Sequence, residues 1–215
     1  MSEINIAELR RNYTKAGLQD DELPDDPNEL FEKWLAEAVR SEVMEPNAMS
    51  LATVRPDGRP NVRTVLLKGF ENSAIEFFTN YNSEKGLEIE KNENVSVIFW
   101  WPELERQVRM NGEANKLSEP ENSEYFSSRP RLSQIGAWAS EQSEEIDSRD
   151  ELEEQFRAAE ERYEGKEVDK PPHWGGYRVS LTDIEFWQGR PGRLHDRILY
   201  TLDEEGNWTR QRLQP

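Results

Sequence analysis

Residues 49–68, MSLATVRPDGRPNVRTVLLK, decide the fold class. Residues 49–55 read as a strand, Pro56-Asp57-Gly58-Arg59 as a tight turn, and residues 61–68 as the return strand. The same pattern continues outward from this hairpin. Residues 74–79 (AIEFFT) predict a third strand and residues 83–92 a short helix. Residues 95–101 (VSVIFWW) predict a strand apolar on both faces and therefore central, and residues 106–117 a fifth strand. Strands return over 174–213, with Asp203-Glu204-Glu205-Gly206 at a hairpin turn. Consecutive hairpins without regular βαβ alternation predict an antiparallel barrel with helices packed outside it. Those helices are predicted at 27–43, 119–128 and 148–164, with a shorter one at residues 6–13. The first is announced by Asp26 as N-cap, Pro27 at the first helical position and Glu29 three residues after the cap. Residues 130–145 fit either helix or loop.

Composition narrows the function. The 215 residues carry 44 Asp+Glu against 27 Lys+Arg, a net charge of −17. An aromatic content of 10% argues for a packed core despite this polarity. The charge disfavours nucleic acid and anionic membranes, both of which require a basic face. No apolar run is long enough to span a bilayer, and MSEINIAELRRNY lacks the apolar centre of a signal peptide. A cytoplasmic location is the expectation. With no Cys and only His173 and His195, neither a disulfide nor a Cys- or His-rich metal site is expected. The acidity fits adaptation to high salt; on that hypothesis the melting temperature rises between dilute buffer and molar salt, as differential scanning fluorimetry would show.

The cations are mostly arginine, nineteen against eight lysines, and they cluster. Arg residues in an acidic chain suit bidentate recognition of anions. The first cluster is Arg10-Arg11-Asn12-Tyr13. The second is Arg63 to Lys68, whose odd separation turns the two cations to opposite sides of a strand. The third runs from Tyr125 to Ser133; Tyr125 and Arg129 lie one helical turn apart, and Ser133 follows Pro130, so a phenol, a guanidinium and a hydroxyl converge on one phosphate. The fourth is Arg193-Leu194-His195-Asp196-Arg197; strand alternation puts Arg193, His195 and Arg197 on one face and Asp196 on the other. Each Arg taken singly also fits a surface salt bridge.

The chain contains no GxGxxG, P-loop, HExxH, EF-hand loop or GxSxG. Its ordered motifs instead resemble the pyridoxine/pyridoxamine 5'-phosphate oxidase family. They are RRNYTKAGL, RTVLLKGF, FFTNYNSEKG, ERQVRMNGEA, YFSSRPRLSQIGAWASEQS, HWGGYRVS, IEFWQGRPGRLHDR (184–197) and the terminal RLQP. The resemblance covers nearly the whole chain. It implies an α+β protein, mainly β: an FMN-binding split β-barrel of antiparallel Greek-key type with peripheral helices. It further implies a homodimer with FMN at the subunit interface. Residues 1–26 would be an arm closing over the active site, and residues 27–215 the barrel with C-terminal dimerisation and active-site strands.

The implied reaction oxidises C4' of pyridoxamine or pyridoxine 5'-phosphate to the aldehyde, with hydride passing to flavin N5 and O2 becoming H2O2. Carried over by position, the resemblance assigns Arg63, Lys85 and Ser143 to the FMN phosphate. Thr64, Val65, Leu66, Leu67, Lys68, Phe78 and Thr79 would line the FMN, with Gln107, Gln142, Trp187 and Arg197 around the rest of it. Lys68, Tyr125, Arg129 and Ser133 would hold the substrate phosphate. Arg193 and His195 would contact the pyridine ring and orient it for reaction, and Arg10, Arg11 and Tyr13 would belong to the arm. Glu84 departs from the pattern, standing where relatives often carry a second cation. Two other readings of the same residues are a flavin oxidoreductase acting on a different small ring, and a module stacking single-stranded nucleic acid on Trp100 and Trp101. The phosphate cradle opposes the first and the net charge the second.

Overall fold

The computed structural model describes residues 5, 9, 12–15 and 17–215. Most of the helix read at residues 6–13, together with Arg10 and Arg11, lies outside the described residues. The architecture is α+β. Among the described residues nine strands, Ala48–Val54 (β1), Pro60–Leu66 (β2), Gly69–Glu71 (β3), Ala74–Asn80 (β4), Asn94–Trp101 (β5), Arg106–Lys116 (β6), Trp174–Gln188 (β7), Asp196–Leu202 (β8) and Trp208–Leu213 (β9), form one sheet. Their order is β2-β1-β5-β6-β7-β4-β3, with β8 on β7 and β9 on β8. Five α-helices accompany it among the described residues: Pro27–Arg40 (α1), Glu84–Lys91 (α2), Glu119–Ser128 (α3), Arg131–Ala139 (α4) and Arg149–Arg162 (α5).

The chain divides into two compact units: residues 1–47, 98–110 and 182–215 in one, residues 48–97 and 111–181 in the other. In the second unit, β1 and β2 pair antiparallel with Leu51 opposite Arg63, as the hairpin reading predicts. Gly58 sits in its turn at φ 83°, a conformation that costs glycine nothing and strains most other residues. The ladder of β4 on β7 sets Phe78 opposite Gly176. Residues 130–145, open between helix and loop, divide between the two: α4 ends at Ala139 and irregular chain follows. A cluster of Phe126, Ile135, Ala139, Ala159, Tyr163, Val168 and Trp174 packs α3, α4 and α5 together.

In the first unit, Asp26 caps α1 by accepting the Asn28 N–H, an interaction whose loss costs about 1 kcal/mol. The inward stripe of α1 buries Phe31 against Phe99 and Trp34 edge-on against Phe186. β5 does hold an interior place in the sheet order, but it is not apolar on both faces in the sense of being buried on both. Trp101 is buried, whereas Trp100 is half-exposed. The Trp101 indole donates to the Pro46 carbonyl, so that ring serves the core.

One expectation is corrected. Arg193 and His195 do not share a strand face with Arg197, because β8 begins only at Asp196. Pro191–Arg193 forms a single 3-10 turn, with Gly192 at φ 66° and Arg193 at φ 63°. Pro191 lacks the N–H that a ladder needs, and Gly192 adopts the left-handed conformation easily, so the pair ends the β-structure here. The alternation argument fails for His195 and Asp196 for the same reason. Among the described residues no helix is long and apolar enough to cross a membrane.

Candidate active site

In the unit of residues 48–97 and 111–181, the end of β2, the middle of β4, the start of α2 and the α3–α4 corner enclose a cavity of about 660 Å³. This lies within the usual range for small-molecule sites. Thr64, Val65, Leu66, Lys68, Phe78, Thr79, Lys85, Tyr125, Arg129, Ser133 and Gln142 all line it. The structure thus brings sequence-predicted residues from segments far apart in the chain to one cavity.

Its electrostatics are unusual for so acidic a protein. Arg129, at the C-cap of α3, lies with its guanidinium carbon 4.6 Å over the Trp174 ring. It makes no ion pair among the described residues, and its Nη1 is buried without a hydrogen-bond partner. Burial pushes its pKa down, opposed by the nearby Tyr125. Tyr125 stacks on Phe78 at 3.8 Å, which holds the phenol ring in place. Lys85 is buried in the first turn of α2, and its ammonium donates to Thr79 Oγ1 (3.2 Å), Ser83 Oγ (3.0 Å) and Gln142 Oε1 (2.9 Å). All three acceptors are uncharged. Desolvation, then repulsion from Arg63, bring its pKa down to about 8. Lys68 makes no ion pair among the described residues. Three cations thus face one cavity without a carboxylate paired to any of them among the described residues, an arrangement that calls for anions.

Three sequence-predicted residues lie off this cavity. Leu67 is buried in the core. Ser143 is exposed, at φ 79°. Arg63 turns to a carboxylate that the sequence reading missed: its Nη2 donates to Glu88 Oε2 at 2.9 Å, and its Nη1 to Thr53 Oγ1. Burial favours the protonated form of Glu88, but hydrogen bonds from Thr53, Asn61 and Arg63 outweigh it and hold the pKa down. Glu84, the departure noted above, pairs with Arg55 at 3.0 Å.

The other unit holds the second group of predicted residues. Tyr13, Trp187, Arg193 and His195 line a cavity of about 610 Å³. The Trp187 and His195 rings lie 4.6 Å apart, and Tyr13 meets both edge-on at 5.6 and 5.5 Å. The His195 Nδ1 accepts the Arg190 backbone N–H at 3.1 Å, so the neutral ring carries its proton on Nε2. Burial and then Arg193 push its pKa down, against the opposing effect of Asp196. Arg197 stands opposite Trp187 in the β7–β8 ladder. Its guanidinium forks onto Glu185 (2.7 and 3.1 Å), and Arg109 takes the same carboxylate at 2.7 Å. Glu185 is buried and was likewise not anticipated. Gln107 is half-buried on β6.

A cavity lined by cations and, in the other unit, one lined by aromatic, cationic and imidazole side chains suit a protein that handles small phosphorylated ring compounds. Residues 35–183 match the pyridoxamine 5'-phosphate oxidase family, and residues 174–215 match the pyridoxine 5'-phosphate oxidase C-terminal dimerisation region. The pyridoxine/pyridoxamine 5'-phosphate oxidase of Rubrobacter xylanophilus is 55% identical over 98% of this chain and 97% of its own. That of Microcystis aeruginosa is 51% identical over 99% of this chain and 100% of its own. Among solved structures, PhzG from Burkholderia lata, in complex with tetrahydrophenazine-1-carboxylic acid, superposes with a TM-score of 0.88 at 30% identity, covering 95% of this chain and 100% of that one. The chain belongs to the pyridoxine/pyridoxamine 5'-phosphate oxidase family.

Proposed function

We propose that this chain oxidises pyridoxamine 5'-phosphate and pyridoxine 5'-phosphate to pyridoxal 5'-phosphate. It works with FMN, as a homodimer that holds the flavin at the subunit interface, and residues 1–26 serve as an arm over the active site. The overall change is pyridoxine phosphate plus O2 to the aldehyde and H2O2; with the amine substrate, water is also consumed and ammonia released. The observation that carries this reading is the cavity in which, among the described residues, Lys68, Lys85 and Arg129 have no carboxylate partner. Those donors fit phosphate esters, so the residues present suit both FMN and a phosphorylated substrate.

FMN supplies the hydride acceptor and the route to O2, and this chemistry belongs to the cofactor. The protein's contribution is placement. Lys85 takes the flavin phosphate at the N-terminal turn of α2, and Thr64, Val65, Leu66, Phe78, Thr79 and Gln142 line the cofactor site. Arg63 and Ser143 extend the phosphate corner, with Leu67 supporting it from the core. Gln107, Trp187 and Arg197 contact the rest of the flavin. Arg129, Lys68, Tyr125 and Ser133 grip the substrate phosphate. Arg193 and His195 address the pyridine ring, the latter as a neutral Nε2–H donor, and Arg10, Arg11 and Tyr13 cover it. Catalysis then rests on orientation rather than on a strong acid or base.

The purified protein is expected to be yellow and to consume O2, releasing H2O2, when pyridoxamine 5'-phosphate is added. Colourless protein after reconstitution with FMN, or a yellow protein without oxygen uptake, would overturn the proposal. Arg193→Ala is expected to lower turnover far more than FMN content; equal loss of both would move Arg193 to the flavin site.

A further inference from the structure

Residues 12–15 and 17–20 lie by the end of β7, and two carboxylates tie them. Glu105 Oε2 accepts the backbone N–H groups of Thr14 (2.9 Å) and Lys15 (3.1 Å), and Oε1 also accepts from Thr14 (3.2 Å). Asp196 Oδ2 accepts the Leu18 N–H at 3.0 Å. Glu105 is placed for this task at a cost. It follows the Pro102–Leu104 turn in the left-handed conformation, φ 55° and ψ 40°, which disfavours any side chain with a Cβ. Its carbonyl accepts the Gly189 N–H (2.8 Å) and the Gln188 side-chain amide (3.1 Å), fixing the residue to the end of β7. One residue therefore joins the arm, through its carboxylate, to the strand that carries Trp187.

Gly189 supplies the room. A Cβ there would lie 2.8 Å from two ring atoms of Tyr13 and 3.1 Å from Glu105 Cβ. Only a residue without a side chain lets the Tyr13 ring settle at this point, where it meets Trp187 and His195.

We propose that Glu105 is a positioning residue for substrate binding: its carboxylate latches residues 14–15 and so holds Tyr13 in the pocket of Trp187, Arg193 and His195. The inference rests on the reading of that pocket as the pyridine site. A carboxylate accepting two adjacent N–H groups makes charge-assisted bonds, stronger than neutral ones. Losing them lowers the fraction of protein with the arm seated. Apparent substrate affinity falls by that fraction, while chemistry in the saturated complex does not.

The test uses the FMN-loaded full chain. Glu105→Ala is expected to raise KM for pyridoxamine 5'-phosphate about tenfold, with kcat within about twofold and FMN affinity unchanged. Glu105→Gln keeps one acceptor oxygen without the charge and is expected to fall between wild type and Ala. Trypsin cleavage after Lys15 is expected to accelerate in Glu105→Ala. Gly189→Ala, which leaves the carboxylate intact, is expected to raise KM as well. An unchanged KM in Glu105→Ala, or a fall in FMN affinity by the same factor as the rise in KM, overturns the latch. Tyr13→Ala separates the two layers. If it raises KM while Glu105→Ala does not, the latch alone fails; if Tyr13→Ala is silent, the reading of the pocket fails and takes the latch with it.

Discussion

Arg129→Ala is expected to raise KM for pyridoxamine 5'-phosphate by about a hundredfold, with a much smaller change in kcat. The guanidinium is half-buried with no carboxylate paired to it among the described residues: its Nη1 is buried without a hydrogen-bond partner, and burial holds its pKa down. Such a group gains most from an incoming dianion, and truncating one partner of a buried, hydrogen-bonded charge pair costs about 2–5 kcal/mol. The phosphate is remote from the oxidised carbon, so ground state and transition state lose the interaction alike, and the loss appears in KM. Unphosphorylated pyridoxamine is the control. Wild type should discriminate strongly against it, and Arg129→Ala should bind it no worse than wild type does. Equal losses for both compounds in steady-state assays would show that Arg129 serves the fold through its stacking on Trp174. Lys68→Ala should change KM in the same direction by less, because Arg129, the more enclosed cation and a bidentate donor, would remain.

Most of this cradle was legible in the sequence because its chemistry lies in local spacing. Tyr125 and Arg129 are one helical turn apart, and the break at Pro130 brings Ser133 around the corner; these are short-range facts that the α3–α4 structure preserves. The hairpin of β1 and β2 was legible for the same reason, since turn chemistry and alternation are both local. The Arg193–Arg197 cluster was misread because alternation was extended through Pro191-Gly192, where no ladder forms. Arg193 and His195 still line one pocket, placed there by a tight turn rather than a strand face, whereas Arg197 turns to Glu185.

The buried carboxylates were missed for a different reason. In a chain with 44 Asp and Glu, any one of them reads as surface. Glu88 carried a weak signal: Lys85, one helical turn before it, and the neighbouring Ile89 are buried with it on α2, while Leu87 points outward and is half-exposed. Glu185 stands between Ile184 and Phe186 on β7, all three buried, and nothing in its immediate sequence announces Arg109 and Arg197 as its partners. Its pairing is a tertiary fact. The same holds for Glu105, whose role depends on an arm ninety residues away in the chain.

The second large effect is expected at Lys85, and it carries a pH signature. Lys85→Met should weaken FMN binding by about a hundredfold or more, as measured by fluorescence quenching, while riboflavin, which lacks the phosphate, should bind both proteins alike. The ammonium of the free protein titrates near pH 8, well below the usual lysine value, because of desolvation first and Arg63 second. Binding a phosphate favours the charged form and raises that pKa. Below pH 8 the free protein is already protonated, and FMN affinity should be flat with respect to this group. Above pH 8 each binding event must take up a proton, so Kd should rise by up to about tenfold per pH unit until the pKa of the bound form is reached. The stability of the flavin-free protein runs the other way. Between about pH 8 and the ordinary lysine value the unfolded chain holds more protons at this position, so unfolding becomes less favourable as pH rises through that window. Opposite slopes, affinity falling while flavin-free stability rises, would identify one buried amine as the source of both. Lys85→Met should flatten the two together; an affinity profile that keeps its slope in that variant would assign the proton to another group.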